Sequence, residues 1–419
     1  MLWQPALPDR YATLTEDELG QAISARRREL GQSLLILGHH YQQDDVIRHA
    51  DLIGDSLKLS QMAAEESARR KSRFIVFCGV HFMAETADIL TDESVEVILP
   101  DLSAGCSMAD MAGYDDTVEA WRRIHDGLAG SARVIPITYV NSSAAIKAFV
   151  GEHGGACCTS SNAAQVFDWA LRGGDDAAGD AHDATAARRS KDDIRILFLP
   201  DQHLGRNTSA QKGFRTEVHE AAGLGPAETA LYQPRKPDGG LTDEAIRAAK
   251  VLLWAGHCSV HKLFRPEHVA QARERQPEIT VLVHPECAQE VVDLADMSGS
   301  TEMIIRTIES AAPGSHWSVG TEVHLVNRLA ASAAARGVHV RILSDCQCLC
   351  TTMYRIDQAH LLWVLDNLAE GRVVNRVSVH PDARRLARLA LERMLANVAA
   401  PRPAASTAAA APREQLLVD

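Results

Sequence analysis

Short apolar runs rich in Val, Ile and Leu alternate along the chain with longer stretches of helical period. Runs this continuous suit strands covered on both faces, so they predict buried parallel strands and an α/β architecture. Strands are expected at 34–37, 74–77, 95–99, 134–138, 194–199, 251–254, 279–283 and 338–343. Helices are expected over 55–70, 118–125, 163–171, 302–311, 322–336 and 358–368. A last amphipathic helix is expected over 381–398, with Asp382 near its start and arginines on its outer face. Residues 173–193 are low in apolar side chains and rich in Gly, Asp and Ala, which predicts an inserted surface loop. The Ala/Pro-rich text of 400–419 cannot build a core and predicts a disordered tail.

An internal repeat runs through this pattern. Three strands end in polar words, LLILGHHYQ, VIPITYVNSS and ITVLVHPEC, whose first polar residues past the strand are His39, Tyr139 and His284. A hydroxyl residue at a helix start follows each one: Ser56, Ser160 and Thr301, after 17, 21 and 17 residues. Each unit then reaches a strand that ends in cysteine, Cys106, Cys258 or Cys350, at 67, 119 and 66 residues from the opening position. The middle unit is longer, and the polar insert supplies part of the excess. The resulting division is an N-terminal segment 1–30 and units 31–126, 127–272 (with the insert 173–193) and 273–370. A C-terminal helix within 371–399 and the tail 400–419 complete it. Parallel strands joined by right-handed crossovers carry their functional loops at the carboxyl ends. Units facing one another around a pseudo-threefold axis would each bring one residue of every type to a common centre.

At 419 residues two or three domains are expected. Lys and Arg number 43 against 55 Asp and Glu, a net charge of −12. That balance, without any basic stripe, speaks against nucleic acid as a partner but leaves a small anionic substrate open. No apolar run reaches the roughly 18 residues of a membrane span. The start MLWQPALPDRYATL lacks a basic segment followed by an apolar one, so no secretory signal and a cytoplasmic location are expected. In a reducing compartment nine cysteines are expected to be free, metal-bound or catalytic. The word SDCQCLCTTM adds Cys346 and Cys348 to Cys350; alone it suggests zinc or a redox-active dithiol, and Cys346 and Cys348 could pair. Repeat spacing favours Cys350 as the residue equivalent to Cys106.

The words GHHYQQDDVIRHADLIGDSLKLSQMAAE, FCGVHFMAETADIL, PDLSAGCSMAD, TYVNSSAAIKA, FLPDQHLGRN, GHCSVHKLF, HPECAQEV and GSTEMI together resemble the quinolinate synthase family. The likeness runs from about Leu34 to Leu395. It implies three αβα domains around a central active site and one [4Fe–4S] cluster held by only three cysteines, here Cys106, Cys258 and Cys350. One iron is then left open to substrate as a Lewis acid. The implied reaction condenses iminoaspartate (iminosuccinate) with dihydroxyacetone phosphate to quinolinate, releasing phosphate and two waters, in de novo NAD biosynthesis. It also implies a functional link to an aspartate oxidase as the source of iminoaspartate.

The resemblance assigns substrate contacts to His39, Ser56, Tyr139, Asn141, Ser160, His284, Glu286 and Thr301. Proton movement falls to Glu286, Tyr41 and His39. Taken without the resemblance, His39 and Tyr41 read as buried residues satisfying backbone groups. Ser56, Ser160 and Thr301 read as helix N-caps whose free N–H groups suit anions. Two rivals stay open on the residues alone: an open-iron hydratase acting on a hydroxy acid, and a zinc or redox module built on CxCxC.

Overall fold

Every one of those expected strands and helices forms, and the strands sort into three sheets. The computed structural model describes residues 4–175, 194–345 and 348–399. Residues 176–193 of the insert, Cys346 and the tail 400–419 lie outside the described residues. The first sheet holds β1 (Leu34–His39), β2 (Leu52–Gly54), β3 (Phe74–Cys78) and β4 (Glu96–Ile98). The second holds β5 (Arg133–Tyr139), β6 (Ala156–Cys158), β7 (Ile194–Leu199), β8 (Thr229–Tyr232) and β9 (Val251–Trp254). The third holds β10 (Thr280–Val283), β11 (Met297–Ser298), β12 (His316–Gly320) and β13 (His339–Ile342).

The repeat is topological as well as textual. In each sheet the opening strand has the short second strand on one side and, on the other, the third strand and the one that leads to the cysteine loop: β2-β1-β3-β4, β6-β5-β7-β9 and β11-β10-β12-β13. All these pairings are parallel. The middle unit adds β8 beside β9, with short helices at Glu217–Ala221 and Asp243–Ala248, which accounts for its extra length between 205 and 250. Burial follows the pattern: all six residues of β1, all five of β3 and all four of β9 are buried, as expected of strands covered on both faces.

β12 is not evident from the text. HWSVG has no apolar run, yet it pairs with β10 on one side and β13 on the other. Tertiary pairing here outweighs local preference. The helix Glu16–Leu30 is a second omission, although Thr15 and Glu18 close a reciprocal capping box at its start.

Two elements late in the chain fold back onto earlier units. The helix Gln358–Ala369, placed in the third unit by a boundary at 370, packs its apolar residues with Tyr11 and Ile23 of the N-terminal segment and Leu34 and Ile36 of the first unit. Asp366 fixes it there by accepting from Tyr11 Oη at 2.8 Å and pairing with Arg26 at 2.7 Å. β14 (Arg376–Val377) then joins the first sheet antiparallel to β4. The last helix, Pro381–Ala399, crosses Ala144–Glu152 of the second unit, and Ala387, Ala390, Leu391 and Met394 enter that unit's core. Its arginines are not all on the outer face as expected. Arg384 donates to the Thr91 carbonyl at 2.6 Å, Arg388 to that of Ile89, and Arg393 to those of Gly151 and Gly155. Helix-end and loop carbonyls that lack intrahelical donors attract these guanidinium groups inward.

The crossing needs glycine at position 151. A Cβ there would stand 1.9 Å from the Leu386 carbonyl oxygen, a backbone atom that cannot swing aside. Gly151→Ala is therefore expected to destabilise the fold by roughly 1–3 kcal/mol through overpacking. Urea denaturation followed by circular dichroism measures it; an unchanged midpoint would show that the crossing is looser than described.

Candidate active site

The carboxyl ends of the three sheets meet at one cavity. His39 closes β1, Tyr139 closes β5 and His284 follows β10, so the repeat delivers its opening polar residues to the same end. Tyr41, Asn141 and Glu286 stand two residues further on. Cys106, Cys258 and Cys350 come from the loops after β4, β9 and β13. All twelve residues singled out from the sequence, Ser56, Ser160 and Thr301 included, line this cavity.

The hydroxyl residues are not N-caps, contrary to expectation. Asp55 caps the helix Ser56–Arg70 by accepting from Lys58 N, and Ser300 caps Thr301–Glu309 by accepting from Met303 N. Asn162 holds the cap position of Ala163–Leu171, two residues beyond Ser160. Ser56 and Thr301 are thus the first helical residues, and the neighbouring cap leaves their hydroxyls available to the cavity.

Two histidines are set by the same device. His39 Nδ1 accepts from the Tyr41 backbone N–H at 3.1 Å, and His284 Nδ1 accepts from that of Glu286 at 3.3 Å. In a neutral ring this leaves the proton on Nε2, which becomes the donor for a ligand. Burial, with His40 and Arg328 near His39 and His261 near His284, pushes both rings down to about 3. At neutral pH they are uncharged hydrogen-bond donors.

Glu286 is 3% exposed. Burial alone would favour its protonated form, but His261, His284 and hydrogen bonds from His261 and Tyr139 outweigh it and hold the carboxyl below its usual range. It therefore enters as a proton acceptor. Burial and the Glu286 charge push Tyr139 well above the ordinary phenol value. Tyr41, raised for the same two reasons, shares its hydroxyl with Thr301 at 3.1 Å and Thr321 at 3.0 Å. His40 turns away from the cavity toward Glu302.

Burial pushes the Cys106 thiol up to about 12 and raises Cys258 and Cys350 as well. Cys258 lies within electrostatic reach of both other sulfurs, and all three are free. Desolvated soft donors of this kind, converging from three loops, suit a metal–sulfur centre whose positive charge would deprotonate them. Cys348, by contrast, belongs to the core of the third unit and does not line the cavity. The suggested Cys346–Cys348 pair involves a residue outside the described ones. One further grouping could hold an ion: ligand atoms of Cys258, His261 and Glu286 lie within 4.8 Å of one another. Both ring nitrogens of His261 are already engaged, with Glu286 at 2.8 Å and Thr321 at 3.1 Å, so we read this trio as a hydrogen-bonded network.

Against known families, the model described as quinolinate synthetase A protein matches residues 21–396. The chain belongs to that family. It is 49% identical over 387 residues to the quinolinate synthase of Acidobacterium capsulatum, covering 92% of this chain and 95% of the relative. For the quinolinate synthase of Herpetosiphon aurantiacus the values are 51%, 92% and 94%, and for that of Streptomyces coelicolor 47%, 93% and 91%. Among the described residues no helix is long and apolar enough to cross a membrane.

Within this quinolinate synthetase A chain, sequence reasoning missed His261 and Thr321. Both stand behind the cavity wall and hold the groups that line it. The spacing Cys258-x-x-His261 was a signal for the first. Thr321 had none, because it follows the strand that the pattern did not reveal. Glu85 accepts from the Ala144 N–H at 2.9 Å and so ties the first unit to the second.

The depressed histidines bear on stability. Between pH 6.5 and about 3 the unfolded chain takes up protons that folded His39 and His284 refuse, so stability falls as pH drops through that window. From pH 6.5 to 5.5 the loss is roughly 1 kcal/mol per ring. Denaturant midpoints of the chain should show this slope, flattened in a His39→Gln/His284→Gln double variant. An identical slope in the variant would mean that these rings titrate normally when folded.

Proposed function

We propose that this chain is a cytoplasmic quinolinate synthase of de novo NAD biosynthesis. It condenses iminoaspartate with dihydroxyacetone phosphate and releases quinolinate, phosphate and two waters. The convergence of Cys106, Cys258 and Cys350 with nine polar residues of the expected types on one cavity carries this reading. Family membership supports it.

Cys106, Cys258 and Cys350 are the residues that would hold a [4Fe–4S] cluster. With three protein ligands the bound cluster supplies an open iron, a Lewis acid for a substrate hydroxyl or carboxylate. The chain's own side chains do the rest. The Nε2–H groups of His39 and His284 donate to the substrate carboxylates, and the hydroxyls of Ser56, Ser160 and Thr301 orient carboxylate and phosphate oxygens. Asn141 Oδ1 is buried without a hydrogen-bond partner, and an acceptor so placed calls for a ligand N–H or O–H. The imine nitrogen of iminoaspartate or a hydroxyl of the triose provides one. Glu286, ionised at the start, takes protons released during carbon–carbon bond formation and ring closure, and Tyr41 works beside it. Iminoaspartate is short-lived, and an aspartate-oxidising flavoenzyme is its natural source.

Anaerobic purification, iron and sulfide analysis, absorption near ~400 nm and a quinolinate assay test the proposal together. We expect a brown protein that forms quinolinate only with both substrates, and loss of the cluster in Cys106→Ser, Cys258→Ser and Cys350→Ser alike. A cluster that survives Cys350→Ser but not Cys348→Ser would overturn the ligand assignment. Turnover of a hydroxy acid without the triose phosphate would point to a hydratase instead.

A further inference from the structure

The helices that follow the third strand of each sheet, His81–Leu90, Gln202–Gln211 and Val323–Ala334, each carry a histidine in their first two positions: His81, His203 and His324. Four residues after these stand Glu85, Asn207 and Arg328. None of the three lines the cavity. Each reaches out of its own unit to a strand-end loop of another: Glu85 of the first to the loop after β5, Asn207 of the second to that after β10, and Arg328 of the third to that after β1. The ties close a circle.

Two of them grip equivalent atoms. In the first and third loops the chain turns, with Gln42 N–H donating to the His39 carbonyl and Cys287 N–H to that of His284, both at 3.0 Å. The carbonyls one and three residues past each histidine are then taken by the neighbouring unit. Arg328 donates to Gln42 O at 2.7 Å and to His40 O, with Asp44 Oδ1 at 2.8 Å as its counter-charge. Asn207 Nδ2 donates to Cys287 O and Pro285 O, both at 2.8 Å. The gripped carbonyls flank Tyr41 in one loop and Glu286 in the other. The middle loop is held differently because residue 85 is an acceptor. Glu85 takes the Ala144 N–H, an orphan donor at a helix start, and the Ser142 carbonyl goes to the buried Lys147 Nζ.

Peptide planarity carries this grip to the site. The His40 carbonyl and the Tyr41 N–H belong to one rigid plane, as do the Pro285 carbonyl and the Glu286 N–H. Those N–H groups are the donors that His39 Nδ1 and His284 Nδ1 accept. We infer that Arg328 and Asn207 are positioning residues: by holding these two peptides from a neighbouring unit, they set which nitrogen of His39 and His284 is offered to substrate. Glu85 completes the circle at the middle loop. Each of the two histidines is thus oriented by a unit that does not contain it. This deepens the proposed activity and rests on it.

Arg328→Met removes the fork of donors at similar length, and Arg328→Lys keeps the charge without the fork. For the cluster-loaded enzyme, we expect Arg328→Met to lower kcat/KM roughly ten- to a hundredfold with iron content close to the parent. Arg328→Lys should recover part of the loss. Adding His39→Gln to Arg328→Met should cost far less than His39→Gln costs the parent, whereas adding His284→Gln should cost nearly what it costs the parent. Asn207→Leu should show the opposite pairing. A residue with a merely structural role would affect both pairings alike. Should Arg328→Met not fold, Arg328→Lys takes the same two additions. An Arg328→Met enzyme with kcat/KM within about twofold of the parent, or equal coupling to His39 and His284, would overturn the inference while leaving the proposed activity standing. A parent that holds its cluster and makes no quinolinate would overturn both.

Discussion

The structure depends on bringing three buried thiols to one place. Each sulfur sits in a loop after the last parallel strand of its own sheet, and burial raises each one above its ordinary value. Such donors are poorly stabilised by themselves. On the proposed function a metal centre would remove their protons, and its binding energy would then belong to the fold as much as to the chemistry. The three sheets must therefore hold their carboxyl ends together. The cross-unit ties serve this purpose: the Glu85 carboxylate on the N-terminus of the helix Ala144–Glu152, the final helix spread across that same helix, and Gln358–Ala369 returned to the first sheet.

The repeat also explains how a mostly uncharged site can handle anions. His39 and His284 occupy equivalent strand ends and are fixed in the same tautomer by the backbone N–H two residues on. Neither needs a positive charge to donate, and neither changes state across neutral pH. Glu286 is a buried charge inside the site, kept ionised by donors rather than by solvent. Placing a fixed acceptor among neutral donors gives the cavity a direction for proton flow before any substrate arrives, and a site prepared in this way needs little reorganisation during reaction.

Much of this was legible in the chain. Strands buried on both faces announce themselves as runs of Val, Ile and Leu, and the positions after them declared the cavity because parallel sheets place functional loops at one end. Repeat spacing distinguished Cys350 from its neighbours, and the structure puts Cys350 on the cavity and Cys348 in the core. What stayed hidden was whatever depends on partners far away in sequence. β12 owes its form to flanking strands, and Gln358–Ala369 looks the same in text whichever sheet it covers. Two of the three caps were misassigned by one residue for a subtler reason. In GDS and GST both neighbouring residues are competent caps, and only the backbone angle at Asp55 or Ser300 decides between them. His261 and Thr321 make no contact with the cavity, so no reasoning confined to exposed chemistry could find them.

The most direct measurement is differential alkylation of the cysteines, read by mass spectrometry on the anaerobic cluster-loaded protein and on the same protein after chelation. Cys78, Cys157, Cys158 and Cys287 are fully buried and should label slowly in both states. The account predicts that chelation exposes Cys106, Cys258 and Cys350 to reagent as one set. A set that lacks any of these three, or that replaces Cys350 with Cys348, would contradict it.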